Sequence, residues 1–289
     1  HHRARRAAFR AAGLNAFSFF FRRCYNKDDL PAPQVRAFFF MRRLTGKMPD
    51  FSVYIAAIAA PYLFCALAGM LLGRCDAALR RLILACLWAA MLGSEGVKLA
   101  VLWSGNVQPP YVPLHFSSSF HLSAGLAVCA RGRAKHAGQV LLFAGGLIMT
   151  AMIAVSPVSV LGDPLQMFSS HVHAHGYFFH MQVALQFFAL VFSGEYTIRP
   201  LDGHIFAVFL AAWACPAVPG SFLLGVNYMG ILRPYIPFFR PLPDACGYPL
   251  YLTVYYACAV LAVWAGLYAL SFLQRRVRSK RRKILIAFR

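Results

Sequence analysis

Acidic side chains are scarce in this chain: nine Asp and Glu stand against 29 Lys and Arg in 289 residues, and charged residues make up only 13%. A water-soluble domain carries roughly a quarter charged residues, so a soluble enzyme is excluded. No Cys-x-x-Cys occurs among the eight cysteines, Cys24, Cys65, Cys75, Cys86, Cys129, Cys215, Cys246 and Cys258. That removes a zinc knuckle and a disulfide framework. Cysteines set in apolar runs act instead as small packing residues. No cleavable leader is expected, because residues 7–21 are interrupted by Arg10 and lead to no convincing small-residue cleavage site.

What is abundant is hydrocarbon. The chain is 60% hydrophobic with a mean hydropathy of +0.57. Stretches of about 20 apolar residues read as membrane-spanning helices. They fall near 51–73, 79–103, 113–130, 138–160, 170–193, 204–226 and 249–273. The expected fold class is all-α, a polytopic membrane helix bundle with about seven transmembrane helices and no soluble catalytic domain. Residues 1–50 form a basic, partly amphipathic N-terminal segment, 51–273 the membrane domain and 274–289 a basic cytoplasmic tail.

The net charge of +20 is gathered at the two ends. Flanking a helix bundle, such blocks contact anionic lipid headgroups and set topology. Membrane lipids are therefore the expected partners and nucleic acid is not; oligomeric state leaves no mark on the sequence. Arg74, Arg80 and Arg81 follow the first span, and Arg131, Arg133 and Lys135 the third. With the basic tail they point these loops and the C-terminus to the cytoplasm, in a multi-pass protein of the cell membrane. Seven spans then put the N-terminus outside, against the strongly basic character of residues 1–50.

Polar groups inside hydrocarbon mark interior sites, because each one left without a partner costs several kcal/mol, roughly. The densest run is His171-Val-His173-Ala-His175, continued by His180, Gln182 and Gln186. At about 100° per residue, His171, His175, Gln182 and Gln186 share one face while His173 and His180 form a second stripe. Histidines at i and i+4 can hold a metal or haem, yet no carboxylate or thiolate lies nearby in sequence. No metal and no cofactor are expected.

Glu95 and Lys98 are the acid and base set inside a span, three residues apart and able to neutralise each other. Their alternative role is to orient a substrate headgroup. Pro113 suits the first turn of a helix. His115 then falls in its opening turn with Ser118 and Ser119 on its face, and His121 pointing elsewhere. The three serines, Ser117 to Ser119, more often satisfy local backbone groups than act as nucleophiles. Asn227 and Tyr228 close the sixth span, as a cap or as a reach into the pocket. By the topology above, Glu95, Lys98, His115, His171, His175, His180 and Asn227 all belong to the outer half of the bilayer.

The order of Gly93-Ser-Glu95-Gly-Val-Lys98, Pro113-Leu-His115, the helix around His175 and His180 ending at Gly194-Glu-Tyr196, and Leu224-Gly225-Val-Asn227-Tyr228-Met229 resembles the YwaF-like bacterial integral membrane protein family, related to animal transmembrane protein 164. The resemblance covers about residues 51–273. It implies seven helices and lipid acyl transfer of the phospholipid acyltransferase kind. It also implies that His115 matches the motif histidine beside the Pro, and His180 the fifth-helix one. The nucleophile does not carry over: Leu114 and Ser117 stand where family cysteines are found.

The expected function is therefore a His-lined pocket in the outer half of the bilayer, modifying lipid by acyl or headgroup transfer. His115, His180 and Ser117 are its candidate catalytic residues. Glu95, Lys98, His175, Gln182, Asn227 and Tyr228 are its substrate-binding candidates. A transporter or small-molecule binder, and a non-catalytic membrane scaffold, are the alternatives.

Overall fold

The computed structural model describes residues 51–104, 112–155, 160–161 and 167–287. The N-terminal basic segment 1–50, and much of the loops 104–112 and 161–169, lie outside the described residues. The chain divides into His1–Ile55 and Ala56–Arg289, and the account below concerns the second part.

The described residues fold into helices alone: α1 (Phe51–Arg74), α2 (Ala77–Ser104), α3 (Phe120–Cys129), α4 (Gly132–Val155), α5 (His171–Ser193), α6 (Asp202–Leu224) and α7 (Leu242–Ala287). Seven helices at the expected places make this an all-helical membrane bundle. Five segments are long and apolar enough to cross a membrane: Ala77–Val101, Gly132–Ile153, His171–Ser193, Asp202–Leu224 and Leu242–Phe272. Each hydrogen-bonds its own backbone, which hydrocarbon requires. The last helix bends at Gly247, whose φ of 75° breaks the helical run before Pro249.

α3 departs from the expected full span. Ten residues at 1.5 Å rise cover only about 15 Å, and the chain from Val112 to Ser119 is a turn followed by a 3-10 segment, Phe116–Ser119. His115 is extended, with φ −65° and ψ 147°. It stands before the helix rather than in its first turn. Pro113 lacks an N–H and the serine run favours local turns over helix, so the α-helix starts only at Phe120.

The bundle is built around α4 and α5. Of their spanning windows 61% and 50% is buried, against 11% for α2 and 17% for both α6 and α7. Val140, Leu141, Leu142, Phe143 and Ala144 of α4 are all core residues. α4 packs on α3, α5, α6 and α7, and α2 packs on α3 and α5. The α3–α4 contact is close because both sides are small. A Cβ added to Gly138 would lie 2.4 Å from the Ala127 nitrogen. On the far side α1 is tied in by Tyr62, bonded to Thr150 at 2.5 Å, and by Cys65, which donates to the Met181 carbonyl.

Two polar clusters sit at opposite ends of α5. At its C-terminal end Arg80 pairs with Glu195, and Lys135 approaches the same carboxylate at 3.7 Å. Beside them Asp202 is fully buried and accepts from His136 Nε2 at 2.8 Å, the Tyr196 hydroxyl at 2.7 Å and the Arg199 amide at 2.8 Å. This cluster joins the starts of α2, α4 and α6 to the end of α5. The other cluster, about 27 Å away along α5 at 1.5 Å per residue, contains His175.

Candidate functional site

α5 starts at Ser170, whose side chain caps the helix by accepting from the His173 amide. One turn inside, His175 turns inward and is only 7% exposed. Its Nε2 lies 2.7 Å from Glu95 Oε2 on α2, and its Nδ1 lies 2.7 Å from Ser94 Oγ. An ionised carboxylate only accepts, so Nε2 donates to Glu95 and the neutral ring's Nδ1 accepts the Ser94 hydroxyl. Lys98 Nζ reaches the same Glu95 oxygen at 2.6 Å. Serine, imidazole, carboxylate and ammonium thus form one connected chain between α2 and α5.

α3 closes the site from the side. The His121 ring stacks on Phe179 at 4.8 Å, and Phe179 stacks in turn on His175 at 5.8 Å. His121 Nδ1 is 3.1 Å from the Ser118 carbonyl, and Trp88 Nε1 donates to the His121 carbonyl at 2.8 Å. Between α2, the 3-10 turn and α6 opens a cleft of about 430 Å³. Leu92, Leu99, Leu122 and Trp213 form apolar walls, with Glu95, Ser118 and His121 as its polar lining. Glu95 Oε1 and His121 Nε2 are buried, away from the cleft surface, and have no hydrogen-bond partner among the described residues.

His115 lies next to this cleft. Its carbonyl accepts from Trp213 Nε1 at 3.3 Å, and its ring meets the Tyr228 ring edge-on at 4.9 Å. Tyr228 is fully buried, and burial raises its phenol above the ordinary value, so it stays a neutral hydroxyl. His180 lies on α5 five residues after His175. Its Nδ1 donates to the Gly176 carbonyl at 2.6 Å, which leaves Nε2 as an acceptor in the neutral ring.

The remaining expected residues are placed as follows. Ser117 is half-buried on the 3-10 turn, where its neighbour Ser118, not Ser117, lines the cleft. Gln182 is half-buried on α5, and Gln186 is buried with its Nε2 3.5 Å from Met91 Sδ. Asn227 organises its own loop: its Oδ1 accepts from the Leu232 and Arg233 amides at 2.9 Å each, and its Nδ2 donates to the Arg233 carbonyl at 2.8 Å. His171 and His173 are exposed, and His173 is held by Ser169 and Ser170 at 2.9 and 3.0 Å. Among the described residues no three His, Cys, Asp or Glu side chains converge as a metal site.

Ser94, Ser118, His121 and Trp213 were absent from the sequence-based candidate set. Ser94 carried a signal, being the hydroxyl next to Glu95 within the Gly93-Ser-Glu95 motif. His121 was set aside because a regular helix from Pro113 would turn it away from His115. The 3-10 turn, with about 120° per residue instead of 100°, resets that phase.

The family model for the TMEM164 family matches residues 46–268. No curated protein and no solved structure matches the chain.

Proposed function

The chain belongs to the TMEM164 family, and from that premise we propose that this membrane protein modifies lipids by acyl transfer at the Ser94–His175–Glu95 chain. One observation carries the reading: a hydroxyl, an imidazole and a carboxylate in series, at 2.7 Å for each link, with the imidazole and carboxylate buried and the hydroxyl half-buried. That order is the one by which a weak hydroxyl nucleophile is activated, the carboxylate fixing the ring and the ring taking the proton. It supplies a nucleophile where the family cysteine positions hold Leu114 and Ser117.

In this mechanism the Ser94 Oγ attacks the carbonyl carbon of a lipid ester and its proton passes to His175 Nδ1. The ester C–O bond breaks, and the same proton goes to the departing alkoxide, leaving an acyl group on Ser94. An incoming hydroxyl reverses the sequence and carries the acyl group away. Glu95 balances the imidazolium while it exists, and Lys98 keeps Glu95 ionised in an apolar setting. His115 and His180 flank the chain as a second acid–base pair, with Tyr228 holding the His115 ring. Asn227 supports the loop that carries Tyr228.

The topology that the basic loops suggest puts this site in the outer leaflet half, with the C-terminus cytoplasmic. A non-catalytic scaffold would hold the same polar groups without transferring any acyl group. A transporter would bind lipid without changing it.

The test is incubation of the purified chain with acyl-labelled phospholipid, followed by mass spectrometry of lipids and protein. Expected are a transferred acyl group and an acyl adduct on Ser94, both lost in Ser94→Ala and reduced about 10²–10⁴-fold in His175→Ala. Undiminished transfer in both variants overturns the mechanism. Lipid binding without any product favours the transporter.

A further inference from the structure

Three short connections meet at the end of the bundle where α2, α4 and α6 begin. Arg80 of α2 and Lys135 of α4 converge on Glu195, just after α5. His136 of α4 shares Asp202 with the Arg199 amide. These contacts lock the three connections into one surface. Residues 74–81, 131–135 and 195–202 bring to it seven Lys and Arg against three carboxylates, an excess of four positive charges. None of the three acids is spare. Asp76 caps α2 by accepting the Ala78 and Leu79 amides. Asp202 is fully buried among its donors, and Glu195 is engaged by Arg80 and Lys135. Arg74, Arg81, Arg131, Arg133 and Arg199 are exposed, with no carboxylate at ion-pair distance among the described residues.

Depth decides what these guanidiniums meet. The spanning segments start at Ala77, Gly132 and Asp202, and α5 ends its span at Ser193. Arg81 lies four residues inside α2 and Arg133 one residue inside α4, within about 6 Å of the span ends. That is the level of lipid headgroups. Apolar side chains interleave with the basic ones: Leu71, Leu79, Leu82 and Leu201 are each at least half exposed. A soluble polyanion would cover the arginines and leave the leucines wet, whereas a lipid covers both. The guanidinium fork donates to phosphate oxygens in pairs. One phosphodiester balances a single positive charge and leaves most of the excess standing. We infer that this surface binds a lipid whose headgroup carries several phosphates, held by Arg81, Arg133 and Arg199 with the neighbouring leucines against its chains. It lies at the end of α5 opposite His175, and binding there requires no acyl transfer.

The experiment titrates the full chain in detergent micelles with dioleoyl phosphatidylinositol bisphosphate, with bound lipid counted by native mass spectrometry. Dioleoyl phosphatidylglycerol and dioleoyl phosphatidylcholine serve as probes with the same chains and less headgroup charge. Expected is saturable binding of the bisphosphate lipid, at least tenfold tighter than of phosphatidylglycerol, with phosphatidylcholine not retained. Arg133→Gln with Arg199→Gln should weaken it at least tenfold. The Arg199 amide bond to Asp202 survives that change, so melting should stay at the wild-type value. Arg131→Gln with Arg133→Gln provides a second loss from one turn alone. Arg275→Gln with Arg276→Gln removes the same charge from the tail and should change affinity less than twofold. If the tail variant weakens binding as much as the loop variants, attraction is diffuse and the site is overturned. Equal affinity for phosphatidylglycerol overturns the several-phosphate assignment. Soluble inositol trisphosphate should compete at least tenfold more weakly than the lipid; equal potency overturns the lipid as ligand.

Discussion

Glu95 Oε2 lies 2.7 Å from His175 Nε2 and 2.6 Å from Lys98 Nζ, so one oxygen of a buried carboxylate receives both an imidazole and an ammonium. Removing the carboxylate charge leaves Lys98 buried without its counter-ion. Glu95→Gln should therefore cost about 3–5 kcal/mol of stability. The double variant Glu95→Gln with Lys98→Met removes the unpaired charge as well and should recover most of that loss. It should remain strongly impaired in acyl transfer, because a neutral amide cannot balance the imidazolium that forms on His175. Thermal unfolding in micelles and the transfer assay, run on both variants, separate the two roles.

Asp202 is the second buried acid, with 0% exposure and three donors: His136, Tyr196 and the Arg199 amide. Tyr196→Phe deletes one donor and keeps the ring, and should cost about 1 kcal/mol. Asp202→Ala strands all three donors at the junction of α4, α5 and α6. It should lower stability by several kcal/mol, on the order of 3. Both act about 27 Å along α5 from His175 at 1.5 Å per residue. Residual folded Tyr196→Phe should thus keep full transfer activity; a selective activity loss with unchanged melting contradicts this.

Apart from α3, the helices were legible in the sequence because apolar length fixes them, and the Glu95–Lys98 pair was legible because helical spacing puts i and i+3 side by side. Ser94 with His175 was not. The two are brought together by the packing of α2 on α5, a long-range contact that no local periodicity encodes. Asn227 looked like a site residue because polar groups near a span suggest one, whereas its amide serves the loop from Leu232 to Arg233. His121 escaped through the helix phase: a turn of 3-10 geometry before Phe120 changes which residues share a face.

Acid sensitivity should come from the Arg80–Glu195 cluster, at the end of α5 opposite His175. Burial by itself would raise the Glu195 carboxyl, but the Arg80 hydrogen bond and charge, with Lys135 and Arg81 behind it, outweigh this and hold it below its ordinary value of 4.5. A depressed acid stabilises the fold fully above the unfolded value, and that contribution disappears as pH falls through the folded one. The melting temperature of the wild type should therefore hold from pH 7 to about 5 and drop below about 4. Arg80 also donates to the Gly73 and Cys75 carbonyls at 3.3 and 2.8 Å. Arg80→Met should be less stable at neutral pH and show a shallower acid slope. An identical slope in the variant removes Glu195 as the cause.

Glycines on the same kind of helix should respond in opposite directions, which tests the packing independently of any chemistry. At Gly138 on α4 an added Cβ would lie 2.4 Å from the Ala127 nitrogen and 2.5 Å from Leu126 Cβ, backbone and stem atoms of α3 that cannot swing aside. Gly138→Ala must push α3 away from α4 and should cost about 1–3 kcal/mol. At Gly93 on α2 the same Cβ meets nothing within 4 Å. There the substitution only removes backbone freedom from the unfolded chain and should stabilise by about 0.4–1 kcal/mol. Because α3 carries His121 and a wall of the cleft, Gly138→Ala should also lower acyl transfer while Gly93→Ala leaves it intact. Equal effects of the two substitutions on melting would mean that α3 does not sit against α4 at this distance, and the cleft would lose its third wall.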